Sequence, residues 1–144
     1  MTTLDPANSQ HWQVLVVDDE PDSLEIVTRV LAFHKASVHA VPSGIAALAV
    51  LTKIVPTFII MDLSMPEMDG WELLYHLRNS PKLQKIPVIA LTAHAMKGDR
   101  ERAIGAGFSY YLTKPLNPLS FFDDLLRLFA SREMGARPAA SPAR

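Results

Sequence analysis

The sequence predicts an α/β fold, a parallel sheet covered by helices on both faces, and three observations carry that prediction. Five short, mostly apolar runs recur along the chain at intervals of roughly twenty to thirty residues. Each gap between them holds a pattern of helical period. The runs are nearly continuous in apolar residues where a one-sided sheet would alternate, as in strands buried on both faces. Strand followed by helix, repeated five times, favours parallel pairing with right-handed crossovers.

The first strand is QVLVV, residues 13–17. After it Leu24, Val27 and Leu31 mark one helical face at i, i+3 and i+7, and Pro21 suits the first helical turn. SVHAV, 37–41, is the second and most polar strand, which fits a sheet edge; Ser43 then serves as N-cap of the helix GIAALAVL. TFIIM, 57–61, runs into Asp62 and the turn-forming stretch that ends at Asp69, the N-cap of GWELLYHL, whose Leu73, Leu74 and Leu77 face inward. PVIAL, 87–91, is the fourth strand. The following segment 94–107 reads as a helix, but Gly98 and a sparse apolar face leave it the least anchored of the five and a candidate for motion. FSYYL, 108–112, is the fifth strand, and Leu119, Phe122, Leu126 and Phe129 stripe the last helix, with Pro118 near its start. These boundaries give an N-terminal tail over 1–11, one folded domain over 12–133, and a tail over 134–144 whose Pro/Ala/Ser/Arg bias predicts disorder.

At 144 residues, 49% of them hydrophobic, the chain can bury one proper core and is too short for two. Fourteen basic against fifteen acidic residues leave a net charge of −1, so no bulk field recommends nucleic acid or an anionic membrane. Arg132, Arg137 and Arg144 are scattered, without the interleaved aromatics of a nucleic-acid surface. The absence of cysteine excludes disulfides, thiol catalysis and cysteine-ligated metal, and His11, His34, His39 and His76 share no metal-binding spacing. No apolar run approaches the roughly 18 residues of a membrane span. The first residues lack the basic and apolar regions of a secretory signal, so a cytoplasmic location is expected.

In an open parallel sheet the functional crevice lies beyond the C-terminal strand ends. Here the first strand ends in Asp18-Asp19-Glu20, the third in Asp62, the fourth in Thr92-Ala93, and the fifth leads to Lys114-Pro115. If strands one, three, four and five are neighbours, carboxylates, a hydroxyl and an ammonium converge. Taken singly, the acidic run could be helix capping, Asp62 an Asx turn, Thr92 a strand-end hydroxyl and Lys114 a solvated lysine. Taken together, clustered carboxylates repel unless a cation intervenes, and an oxygen-only ligand set favours a hard ion, Mg2+ most naturally. Mg2+ and Lys114 would leave a pocket able to accept phosphoryl oxygens, with Asp62 as nucleophile in aspartyl phosphate formation. Thr92 would donate a hydrogen bond to a phosphoryl oxygen.

The stretches VLVVDDEPDS, FIIMDLSMPEMDGWELL, VIALTAHA and YYLTKPL resemble, in that order, the receiver domains of two-component response regulators, in particular the stand-alone chemotaxis type. The resemblance implies a doubly wound, flavodoxin-like five-stranded sheet of order 2-1-3-4-5 with five helices. It implies that Asp62 is the phosphoacceptor, Asp19 a direct Mg2+ ligand and Asp18 a largely water-mediated one, with the Ser64 main-chain carbonyl completing the protein ligands. Thr92 and Lys114 would sense the phosphoryl group, Tyr111 would be the aromatic switch, and the Lys114-Pro115 bond would be cis. Ser64 and His94 fall where the family varies and would tune dephosphorylation.

The implied function is a phosphoacceptor switch that is no turnover enzyme but promotes its own Mg2+-dependent phosphorylation and dephosphorylation. A histidine kinase or phosphotransfer protein would be the donor, and the face made by the fourth helix, fifth strand and fifth helix would bind a protein target. A phosphohydrolase of the haloacid-dehalogenase kind wants a second Asp two residues after the nucleophile, where Ser64 stands. A flavodoxin-like flavin module wants a phosphate cradle where Asp18-Asp19-Glu20 would repel one. A degenerate, binding-only receiver would be expected to have lost one of the acidic pair, the acceptor or the lysine, and none is lost.

Overall fold

Apolar runs flanked by polar strand ends leave the chain one way to hide both faces of its strands. The computed structural model, which describes residues 6–93 and 95–133, adopts it. His94 and the expected tail 134–144 lie outside the described residues. The strands are β1 (Gln13–Val17), β2 (Ser37–Val41), β3 (Phe58–Asp62), β4 (Val88–Thr92) and β5 (Tyr110–Thr113). The helices are α1 (Pro21–Phe33), α2 (Gly44–Leu51), α3 (Gly70–Arg78), α4 (Asp99–Ala106) and α5 (Phe121–Glu133). All strand pairs are parallel, in the order β2-β1-β3-β4-β5. The polar β2 is indeed an edge, and the order reverses direction between β1 and β3, which opens a crevice at their C-terminal ends.

Because side chains alternate across a strand, each central strand feeds two cores. Leu15, Val17, Ile59, Met61, Val88, Ala90 and Tyr111 pack under α2, α3 and α4 with Ala47, Leu51, Leu73, Leu74, Leu77 and Ala103. Val14, Val16, Phe58, Ile60, Ile89, Leu91 and Tyr110 pack under α1 and α5 with Val27, Leu31, Phe121, Leu125 and Phe129. Ser43 Oγ accepts from Ala46 N and Asp69 Oδ1 from Glu72 N, so both expected N-caps are made. No helix among the described residues is long and apolar enough to cross a membrane.

Three local readings differ from the structure. Residues Pro6–His11, expected as tail, form a 3-10 segment; Ser9 Oγ donates to the His34 carbonyl, and the neighbouring Trp12 is buried edge-on against Phe58 and Phe129. The buried stripe of α5 is Phe121, Leu125 and Phe129, at i, i+4 and i+8; Phe122 and Leu126 flank it, and Leu119 lies exposed ahead of the helix. The expected helix over 94–107 begins only at Asp99, because Gly98 takes a left-handed conformation with φ of 88° and interrupts helical hydrogen bonding. Within α4 only Ala103 is buried, the sparse anchoring its composition predicts.

Candidate functional site

Strand register brings the polar ends together. β1 and β3 pair up to Val17↔Met61, so the next residues, Asp18 and Asp62, leave adjacent strands side by side. Thr92 pairs with Thr113 at the ends of β4 and β5, and Lys114 N continues the ladder by donating to the Thr92 carbonyl at 2.8 Å. Asp18, Asp62 and Thr92 are buried, whereas Asp19 is exposed at the mouth. The sheet alone therefore assembles a crevice from residues up to 96 positions apart.

The loop after Asp62 is held by its own backbone. Ser64 N donates to Asp62 Oδ1 at 3.1 Å, Gly70 N to the Leu63 carbonyl at 3.0 Å, and Met68 N to the Pro66 carbonyl at 2.8 Å across Glu67, whose φ is 68°. That last contact is a tight three-residue turn of a kind few non-glycine residues adopt. A side chain at Gly70 would meet the Asp62 carbonyl oxygen at 2.5 Å and Leu63 Cα at 2.9 Å, so α3 can start this close to the end of β3 only with glycine there. The sequence signals this position as the Gly directly after the capping Asp69, although spacing alone does not reveal the close approach.

Lys114 organises the charges. Its ammonium, with the side chain only 8% exposed, lies 2.7 Å from Glu20 Oε1, 3.0 Å from Asp18 Oδ2 and 3.3 Å from Asp62 Oδ2. Burial alone would depress the lysine, but its bonds to Glu20 and Asp18 and the charges of Asp18 and Asp62 hold it protonated, raised above its ordinary value. Asp62 is pushed up to about 6, first by burial and further by the neighbouring Asp18 charge; the Ser64 amide and Lys114 offset only part of this. The Lys114-Pro115 peptide is cis, as the resemblance implied.

Asp18, Asp19 and Asp62 each place one carboxylate oxygen within 4.8 Å of the others. Asp18 Oδ2 is buried and has no hydrogen-bond partner, its near charge being the Lys114 ammonium at 3.0 Å. A buried carboxylate oxygen left without a bond is a donor atom available to a cation, and the oxygen-only set is compatible with a hard divalent ion.

These strand ends, in this order, carry a signature that the chain shares with other proteins: residues 14–125 match the family described as response regulator receiver domain. The chain belongs to that family. This receiver domain is 43% identical over 115 residues to an uncharacterised 14.6 kDa protein of Leptolyngbya boryana, covering 80% of this chain and 85% of that one. It is 38% identical over 114 residues to the signal transduction histidine-protein kinase BarA of Escherichia coli, covering 79% of this chain but only 12% of the kinase. Among solved structures, the receiver domain of the sensor histidine kinase PA1611 from Pseudomonas aeruginosa, described with a magnesium ion coordinated in its active-site cleft, superposes with a TM-score of 0.72. That pair is 31% identical, covering 83% of this chain and 98% of the other.

The structure brings Asp18, Asp19, Asp62 and Lys114 together, with Thr92 at the adjoining strand end and Ser64 beside Asp62. Tyr111 lies farther in. It is buried under α4, its hydroxyl has no hydrogen-bond partner among the described residues, and Arg100 of α4 sits 5.8 Å from its ring centroid. Burial, then the Asp99 charge, raises its hydroxyl pKa against the opposing effect of Arg100. Sequence reasoning did not foresee that Glu20 is the shortest contact of Lys114. Nor did it foresee that Arg102 of α4 stacks over Trp71 of α3 at 4.4 Å, beside a cavity of about 340 Å³ lined by Ser64, Met65, Thr92 and Met96.

Proposed function

We propose that this receiver domain is a phosphoacceptor switch of a two-component phosphorelay, phosphorylated on Asp62 in a Mg2+-dependent reaction by a histidine kinase or a histidine phosphotransfer protein. The observation that carries the reading is the Lys114 ammonium within 3.3 Å of both Asp18 and Asp62 at the floor of an otherwise acidic crevice. A strand-end aspartate there can act as nucleophile toward a phosphoryl group whose own charge needs cations around it.

Asp18, Asp19, Asp62 and the main-chain carbonyl of Ser64 would hold the Mg2+, which when bound supplies neutralising charge for phosphoryl oxygens. An Asp62 carboxylate oxygen attacks phosphorus, the phosphorus–nitrogen bond to the donor imidazole breaks, and that nitrogen keeps the electron pair. Lys114 offers N–H donors and a positive charge to the phosphoryl oxygens, and Thr92 offers its hydroxyl. With Asp62 near 6, the carboxylate is mostly ionised at neutral pH and available as nucleophile.

The output reading rests on Tyr111 and α4. An unpartnered buried hydroxyl costs about 1–3 kcal/mol, so a tyrosine that rotates to satisfy it has an alternative place to go. Thr92 moving toward the phosphoryl group would release that rotation, and α4, anchored by little besides Ala103, would shift the α4-β5-α5 face toward a protein target. Ser64 and His94 would tune hydrolysis by shaping access of the attacking water. On this reading the chain is not a turnover enzyme; it catalyses changes to its own phosphorylation state. Phosphotransfer profiling tests it: labelled histidine kinases and phosphotransfer proteins should pass phosphate to the wild type and not to Asp62→Asn, and transfer to both would end the assignment.

A further inference from the structure

The contact between Lys114 and Glu20 has no place in the phosphoacceptor scheme above. An ammonium has three N–H donors. Here Lys114 spends them on Glu20 at 2.7 Å, Asp18 at 3.3 Å and Asp62 at 3.3 Å, so none is left for an incoming phosphoryl oxygen. Glu20 occupies the N-cap position of α1, yet its side chain makes no capping bond. Asp18 Oδ1 accepts from Glu20 N at 2.9 Å in a local turn, while the Glu20 carboxylate turns to the lysine and accepts from Ser23 Oγ.

The three acidic partners are not equally able to leave. The Asp18 side chain is 1% exposed and that of Asp62 5%, so neither carboxylate can rehydrate without opening the crevice; that of Glu20 is 58% exposed and can swing into water at small cost.

We propose that Glu20 is a positioning residue that holds Lys114 in the unphosphorylated state and competes with the phosphoryl group for it, so that phosphorylation exchanges the Glu20–Lys114 ion pair for a phosphoryl–Lys114 one. This rests on the phosphoacceptor reading of Asp62. The carboxylate acts through its reach. Shortening it by one methylene in Glu20→Asp keeps the charge at the crevice mouth but withdraws the oxygen beyond hydrogen-bond distance, and Glu20→Gln keeps the length but removes the charge.

The experiment is titration of the full chain with beryllofluoride, a mimic of an acyl phosphate, at saturating Mg2+, followed by calorimetry, for wild type, Glu20→Gln and Glu20→Asp. Both variants are expected to bind about two- to five-fold more tightly than wild type, the scale of one exposed ion pair. Tighter binding by Glu20→Gln alone would assign the effect to net charge at the crevice mouth and overturn the proposal, as would unchanged or weaker binding by both. A wild type that binds no beryllofluoride would overturn the phosphoacceptor reading and this inference with it, whereas binding that is equal in all three overturns the inference alone.

Discussion

Asp62→Asn should make the metal-free protein more stable at neutral pH, because the fold disfavours the charge that the proposed chemistry requires. Asp62 is raised from its ordinary 3.8 to about 6. A carboxyl whose folded pKa is raised contributes stability that is fully present below the unfolded value and is lost as pH rises through the folded one. Wild type and Asp62→Asn should therefore be close in stability below about pH 4 and diverge between about 4 and 6. The shift of about two units corresponds to a limit of about 3 kcal/mol. Asp62 itself is buried, but the crevice mouth is lined by the exposed Asp19 and Glu20, so solvent screening reduces the expected gain to about 1–2 kcal/mol. Asparagine can still accept from Ser64 N, and Lys114 keeps Asp18 and Glu20, so little else changes. In chelator at about pH 7.5, thermal melts should place the variant about 3–8 °C above wild type. A variant that melts lower there, or a difference that does not change between about pH 4 and 7, would refute the reasoning.

Gly70→Ala should destabilise the protein by about 1–3 kcal/mol in urea unfolding and slow labelling from a small phosphodonor, since the new methyl meets the Asp62 carbonyl at 2.5 Å. Trp12→Ala should cost about 3–5 kcal/mol in the same assay, and Trp12→Phe less, because the indole is buried among Phe58, Phe122 and Phe129. Thr92→Ala should still accept phosphate but show a smaller phosphorylation-dependent change in hydrogen exchange over residues 95–107, and a full wild-type response would separate Thr92 from the motion of α4.

Much of the fold was legible because it rests on local patterns that agree with the global one. Apolar runs of five residues placed every strand within one or two positions, and Ser43 and Asp69 announced their helices through cap chemistry. The site was legible because strand ends in a parallel sheet are its meeting points, so Asp18, Asp62, Thr92 and Lys114 could be brought together before any coordinate was known. What could not be read depended on side-chain direction. The α5 stripe slipped because Phe121, Phe122, Leu125 and Leu126 offer two overlapping apolar faces, and periodicity does not choose between them. Trp12 stood only as the first residue of the domain, because a single aromatic has no period; its burial comes from Phe58 and Phe129, far away in sequence. Glu20 read as one more acid in a run, and only the path of the Lys114 side chain distinguishes it.

The measurement that bears most directly on the central claim is the intact mass of wild type and Asp62→Asn after incubation with acetyl phosphate, with and without Mg2+, followed by base treatment. The account predicts that wild type gains one phosphoryl group only when Mg2+ is present and loses it in base, and that Asp62→Asn gains none. Equal labelling of the two proteins, or a wild type that stays unlabelled with Mg2+, would contradict it.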